Sequence, residues 1–133
     1  MNNLPIAVFD SGFGGLTVMR AIRELLPCEN IVYFGDTAHL PYGNKSSSAI
    51  IRYTMEGVAA LTKQPVKLLV IACHTASAFA LKDVQSSLSV PVLGVIEPAI
   101  DSMKHLSKLK NIAILGTRAT ISSGVMSRCH CRA

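Results

Sequence analysis

Charge is what this 133-residue chain has little of: Asp, Glu, Lys and Arg make up only 16% of it, while half of it is apolar. So low a charged fraction fits a face buried against a partner or a further lobe, and it fits equally a chain rich in small residues. Aromatics are scarcer still at 5%, with no tryptophan. That bears on the net charge of +5. The bases are scattered through Arg20, Arg23, Lys63, Lys67, Lys104, Lys108, Lys110, Arg128 and Arg132. No aromatic residues interleave with them as stacking platforms, so they read as solvated helix faces and no nucleic-acid partner is expected. Apolar runs long enough to span a membrane are absent, so no membrane association is expected. The segment MNNLPIAVFD lacks a basic stretch leading into a long apolar one, and no signal peptide is visible. Paired CxxC spacing is missing among Cys28, Cys73, Cys129 and Cys131. The Cys129–His130–Cys131 cluster is a weak metal pattern, and no metal site is expected; free thiols suit a cytoplasmic chain. There is no internal repeat and no low-complexity linker, and the length suits one domain with a sizeable core.

What is present is alternation. Short β-rich apolar runs, Ile6–Phe9, Ile31–Phe34, Leu68–Ala72, Val92–Val95 and Ile112–Leu115, are separated by helical stretches near Gly15–Leu26, Ser47–Thr62, Ala76–Leu88, Pro98–Leu106 and Ala119–Met126. Continuous apolar runs of this length suit strands buried on both faces. Pro98 sits well in a first helical turn. The order predicts an α/β fold, a parallel five-stranded sheet with helices on both faces and the flavodoxin-like order 2-1-3-4-5.

In such a sheet ligands bind beyond the carboxyl ends of the strands. The residues that follow the runs are Asp10-Ser11-Gly12-Phe13-Gly14-Gly15, then Gly35-Asp36-Thr37-Ala38-His39-Leu40-Pro41-Tyr42-Gly43, then Cys73-His74-Thr75, then Glu97-Pro98, then Gly116-Thr117-Arg118-Ala119-Thr120. Small, polar and reactive side chains collect there, while the runs themselves carry almost none. Cys73, between a buried strand and a helix start, reads as a reactive thiol, because free N–H groups at a helix N-terminus stabilise a thiolate. The plainer reading is a small buried hydrophobe. Asp10 follows the strand expected beside that of Cys73, where it can share protons with the thiol or simply cap the Gly-rich loop. That loop suits an anion, but Thr17 stands where a dinucleotide fingerprint needs its third Gly, although Asp36 is placed plausibly for one. The Pro41-Tyr42-Gly43 turn offers backbone N–H groups to a carboxylate, or is an ordinary Pro-directed turn. Thr117 and Thr120 have hydroxyls for a ligand, with helix capping the safer role. His39 and His74 are bases by type only.

Taken together and in order, Asp10-Ser11-Gly12-Phe13-Gly14-Gly15-Leu16-Thr17-Val18, Gly35-Asp36-Thr37 with Pro41-Tyr42-Gly43, Cys73-X-Thr75-Ala76-Ser77-Ala78, Gly94-Val95-Ile96-Glu97-Pro98-Ala99 and Gly116-Thr117-X-Ala119-Thr120 resemble the aspartate/glutamate racemases, in particular glutamate racemase. The resemblance runs from about residue 6 to residue 124. It implies a cofactor-independent isomerase that interconverts L- and D-glutamate for peptidoglycan, using two cysteines on opposite faces of the substrate Cα. Cys73 matches the first catalytic cysteine and Asp10 the carboxylate near it, which binds the substrate ammonium or orients the thiol. Ser11, Tyr42, Gly43 and Thr75 match substrate-binding positions, Thr117 and Thr120 lie in a motif that faces the ligand, and Glu97 supports the site from behind at most. His74 stands where the family usually has a substrate-contacting Asn, and His39 where Arg is common.

The family's chains continue through a second lobe with the partner cysteine in a Cys-Thr-His segment. Residues 1–127 are therefore expected to form an N-terminal lobe and residues 128–133 an unmatched tail, with the second lobe absent. Cys129 and Cys131 come too early to replace the missing thiol. The alternative is a non-catalytic folded remnant, or a ligand-binding domain that pairs with another chain, with a homodimer left open.

Overall fold

The computed structural model describes residues 3–106 and 112–130. Its strands are β1 (Ile6–Asp10), β2 (Ile31–Gly35), β3 (Leu68–Ile71) and β4 (Val92–Gly94). The helices are α1 (Leu16–Leu25), α2 (Ser47–Leu61), α3 (His74–Ser87), α4 (Ile96–Leu106), α5 (Arg118–Ser122) and α6 (Val125–His130), with a short 3-10 turn at Tyr42–Asn44. All strand pairs are parallel, in the order β2-β1-β3-β4. The expected α/β architecture and the strand order as far as β4 are therefore found.

Strand side chains alternate between faces, and the two faces have different cover. Ala7 and Phe9 of β1, with Leu69 and Ile71 of β3, pack against Ile50, Val58 and Leu61 of α2 and Ala76 and Val84 of α3. On the opposite face Ile6, Val8 and Val70 meet Val18, Met19 and Ile22 of α1. All five residues of β1 are buried, which is why its sequence runs apolar up to Asp10 with no polar alternation. Ser46 caps α2 by accepting a hydrogen bond from Ala49 N (3.3 Å).

Two expectations need correction. The run Ile112–Leu115 is not a fifth strand: among the described residues the sheet has four, and Leu115 is 99% exposed. A parallel strand needs cover on both faces. β4 presents only three residues as an edge, and the short helices beyond the run pack elsewhere, α5 beside α3 and the Tyr42–Asn44 turn, α6 beside α4. The expected helix Ala119–Met126 is two helices, because Gly124 has φ of +66°, in the left-handed region that glycine enters without penalty. Met126 then turns inward against Ile96 and Ile100 of α4.

Candidate active site

The central strands β1 and β3 run side by side, with Phe9 opposite Ile71, so the residues that follow them emerge together at the carboxyl edge. Here they form one wall and the floor of an open cavity of about 660 Å³. Every residue expected to bind or transform a ligand lines it: Asp10, Ser11, Tyr42, Gly43, Cys73, His74, Thr75, Thr117 and Thr120. Glu97 is exposed on α4 and does not line it, and neither do Asp36 and His39.

Cys73 is the N-cap residue of α3, with extended backbone (φ −84°, ψ 123°). Its Sγ accepts from Ala76 N at 3.3 Å and lies 3.1 Å from Ser11 Oγ. The sulfur thus occupies the place where a capping oxygen usually sits, among donors that favour negative charge. Asp10 was expected to approach the thiol. It lines the same cavity, but its Oδ2 accepts from Gly12 N (3.0 Å) and from Tyr33 Oη (3.3 Å), and the group in hydrogen-bond contact with the sulfur is Ser11. The loop-capping role of Asp10 is therefore present in the structure.

Tyr33 is a residue that sequence reasoning passed over as strand filler. Its hydroxyl donates to Gly12 O at 2.9 Å as well as to Asp10, and so ties the Gly-rich loop to β2. Burial, then the charge of Asp10, raises its pKa well above the usual phenol range. A signal was available: in the β1–β2 register Tyr33 pairs with Val8, two residues before Asp10.

The opposite wall is a turn braced from below. Asp36, buried after β2, accepts from Tyr42 Oη at 2.7 Å and meets His39 Nδ1 at 2.9 Å. His39 in turn stacks on Tyr53, 3.9 Å between ring centroids. Burial and the hydrogen bond to Asp36 push Tyr42 upward too, so its phenol stays protonated. With Tyr42 and His39 as its partners, the Asp36 carboxylate braces this turn, which weakens its reading as a nucleotide contact.

The remaining wall is held by three threonines. Thr75 Oγ1 lies 3.0 Å from both Thr117 Oγ1 and Thr120 Oγ1, which are 2.9 Å from each other. Thr117 also caps α5. Gly43 packs directly on it: a Cβ at position 43 would lie 2.4 Å from Thr117 Cβ, so only glycine allows the turn and α5 to meet. Among the described residues no group of His, Cys, Asp and Glu is arranged to hold a metal.

Among the described residues one thiol lies at this cavity, at a strand-to-helix junction of a parallel α/β domain, with hydroxyl and carboxylate groups around it and an open side. Residues 15–132 match the Asp/Glu/Hydantoin racemase family, and the chain belongs to it. It is 49% identical over 121 residues to a glutamate racemase of Aquifex aeolicus, covering 91% of this chain and 48% of that protein. The structure superposes on glutamate racemase from Thermus thermophilus in complex with β-chloro-D-alanine with a TM-score of 0.86 and 48% identity, over 95% of this chain and 48% of that one. With the Francisella tularensis glutamate racemase in complex with D-glutamate the TM-score is 0.89 at 38% identity, over 97% of this chain and 48% of that one. The chain thus spans about half the length of the relatives it matches. Among the described residues no helix is long and apolar enough to cross a membrane.

Proposed function

We propose that residues 1–127 are one lobe of a cofactor-independent glutamate racemase, in which Cys73 handles the α-proton on one face of the substrate. The observation that carries this is the Cys73 sulfur, set between Ser11 Oγ and Ala76 N and open to the cavity. A thiolate there removes the α-proton, and the thiol returns one; sulfur can act in both senses near neutral pH. Asp10 attracts the substrate ammonium. Ser11, Tyr42, Gly43, His74, Thr75, Thr117 and Thr120 surround the rest of the amino acid with hydroxyl, imidazole and backbone donors. In this reading Ile112–Leu115 becomes the fifth strand of the sheet once a further lobe covers it. The D-glutamate formed serves peptidoglycan, and the reaction takes place in the cytoplasm.

Inversion requires that a proton leave one face of Cα and another arrive on the opposite face. The described residues bring one thiol to this cavity, and the cavity is open to water, where stabilisation of a carbanion-like state is weakest. The chain by itself is therefore expected to have little or no racemase activity, and the single thiol equally favours a second reading, a ligand-binding domain without turnover. The discriminating experiment incubates dilute chain with L-glutamate in deuterated water, following the α-proton by NMR and chirality by circular dichroism. Slow α-deuteration with retained configuration, abolished in Cys73→Ala, is the expected result. Deuteration that persists in Cys73→Ala, or is undetectable in the unaltered chain, removes the acid/base role and leaves the ligand-binding reading. Rapid loss of chirality by dilute chain would mean that another group serves the second face.

A further inference from the structure

Asp10 and Asp36 are both buried and both bonded to a tyrosine, yet they are not equivalent. Asp36 has both oxygens engaged: His39 Nδ1 lies 2.9 Å from Oδ1 and from Oδ2, and Tyr42 Oη donates to Oδ2 at 2.7 Å. Asp10 has one oxygen engaged. Its Oδ2 accepts from Gly12 N at 3.0 Å and from Tyr33 Oη at 3.3 Å. Its Oδ1 has no hydrogen-bond partner among the described residues and is not sealed from solvent, and Asp10 lines the cavity. An acceptor oxygen left without a partner in a side chain only 4% exposed is a place for a donor from outside the chain. An ammonium, with three donors and a positive charge, suits a carboxylate oxygen best.

The carboxylate torsion of an aspartate is broad and two-fold, so hydrogen bonds decide where its oxygens point. Gly15, at the start of α1, packs on the stem of the side chain: a Cβ there would lie 2.6 Å from Asp10 Cβ and 2.9 Å from Cγ. Gly12 N holds Oδ2 from the loop, and Tyr33 holds it from β2. The Tyr33 ring packs against Ile6, Val8 and Val70 on the α1 face of the sheet, and its one hydroxyl proton serves both Asp10 Oδ2 and Gly12 O (2.9 Å). Burial, then the charge of Asp10, raises this phenol, so it remains a donor at neutral pH. Tyr33 does not line the cavity, and it acts on a ligand only through Asp10 and the loop. We infer that Tyr33 is a positioning residue that sets the ligand specificity of this site: by holding Asp10 Oδ2 it leaves Oδ1 turned to the cavity as the acceptor for a ligand's ammonium group. The inference rests on the amino-acid reading of the site and adds to it the residue that makes Asp10 selective.

NMR titrations of the 133-residue chain with L-glutamate, and with glutarate as the same diacid without its amino group, test this. The unaltered chain is expected to bind L-glutamate more tightly than glutarate. Tyr33→Phe should weaken L-glutamate by about three- to tenfold, the order of one hydrogen bond, and leave glutarate unchanged. Asp10→Asn should abolish the preference, and adding Tyr33→Phe to it should weaken L-glutamate no further. A merely structural role would weaken both ligands alike and add to the effect of Asp10→Asn; either result overturns the inference. So does a Tyr33→Phe chain that fails to fold by circular dichroism, or one that keeps the full preference. The hold itself is read without ligand, because Gly12 N bonds the same Oδ2: its amide exchange should quicken by about threefold or more in Tyr33→Phe. Unchanged exchange overturns the inference whether or not a ligand binds. A chain that binds neither diacid yet shows the quickened exchange keeps the hold of Tyr33 on Asp10 and removes the amino-acid reading of the site.

Discussion

Ser11 Oγ stands 3.1 Å from Cys73 Sγ, although 62 positions separate them in the chain. The contact exists because β1 and β3 are neighbours in register and both chains turn out of the sheet at its carboxyl edge. With Ala76 N donating at 3.3 Å on the helix side, the sulfur has one backbone donor and one hydroxyl within hydrogen-bond reach, and the cavity lies open beside it.

Those donors should show in reactivity. At neutral pH Cys73 is expected to react with iodoacetamide faster than the exposed Cys28, since groups that stabilise negative charge on sulfur promote attack by the thiolate. Ser11→Ala should slow Cys73 by roughly tenfold, the order expected for one hydrogen bond to a charged group, and leave Cys28 as an internal reference. Peptide mapping after brief labelling gives both rates. Equal labelling of the two sites in the unaltered chain would count against an activated thiol.

Tyr33 and Tyr42 make a prediction for alkaline pH. Burial first, and then Asp10 for one and Asp36 for the other, raise both phenols above their ordinary value of 10.0. Protonated phenols are favoured by folding, so their contribution is complete below pH 10 and is lost as pH rises beyond it. Above that point stability should fall, by at most about 1.4 kcal/mol per pH unit for each group and by less for the more exposed Tyr33. Urea titrations between pH 8 and pH 12 should show the decline, and Tyr33→Phe with Tyr42→Phe should flatten it. An unchanged slope in the double variant would show that other groups govern alkaline unfolding.

Gly43→Ala should cost about 1–3 kcal/mol, the usual range for an overpacked contact. The added carbon would meet Thr117 Cβ at 2.4 Å and Cγ2 at 2.7 Å. The strain falls between the Tyr42–Asn44 turn and α5, so amide exchange in α5 should accelerate more than in β1. Stability within about 0.5 kcal/mol of the parent, the ordinary range for a surface substitution, would show that the turn gives way without cost.

Thr75→Val tests the threonine cluster. It keeps the side chain's shape, removes a buried hydroxyl, and leaves Thr117 and Thr120 bonded to each other. A loss of about 1–2 kcal/mol is expected, since groups of Thr117 and Thr120 lose a partner but keep one. Chemical denaturation measures it, with Thr17→Val, exposed on α1, as the comparison. If both variants lose equally little, the cluster contributes no stability.

What the sequence determined by itself is local. The apolar runs of β1 to β3 are legible because a strand covered on both faces has no polar alternation to obscure it. Cys73 and the polar segments after the strands were legible for the related reason that reactive side chains stand out where such runs stop. Five ordered motifs then pointed to the family. The fate of Ile112–Leu115 was not legible, because apolar residues signal that burial is wanted and do not say whether a partner surface is at hand; β4 is too short and α5 and α6 lie elsewhere. Tyr33 tied to Asp10, Asp36 bracing Tyr42, and Ser11 against Cys73 are contacts between residues 6 to 62 positions apart. Only tertiary structure decides these, since they depend on which strands are neighbours and in what register, and chain proximity carries no record of either.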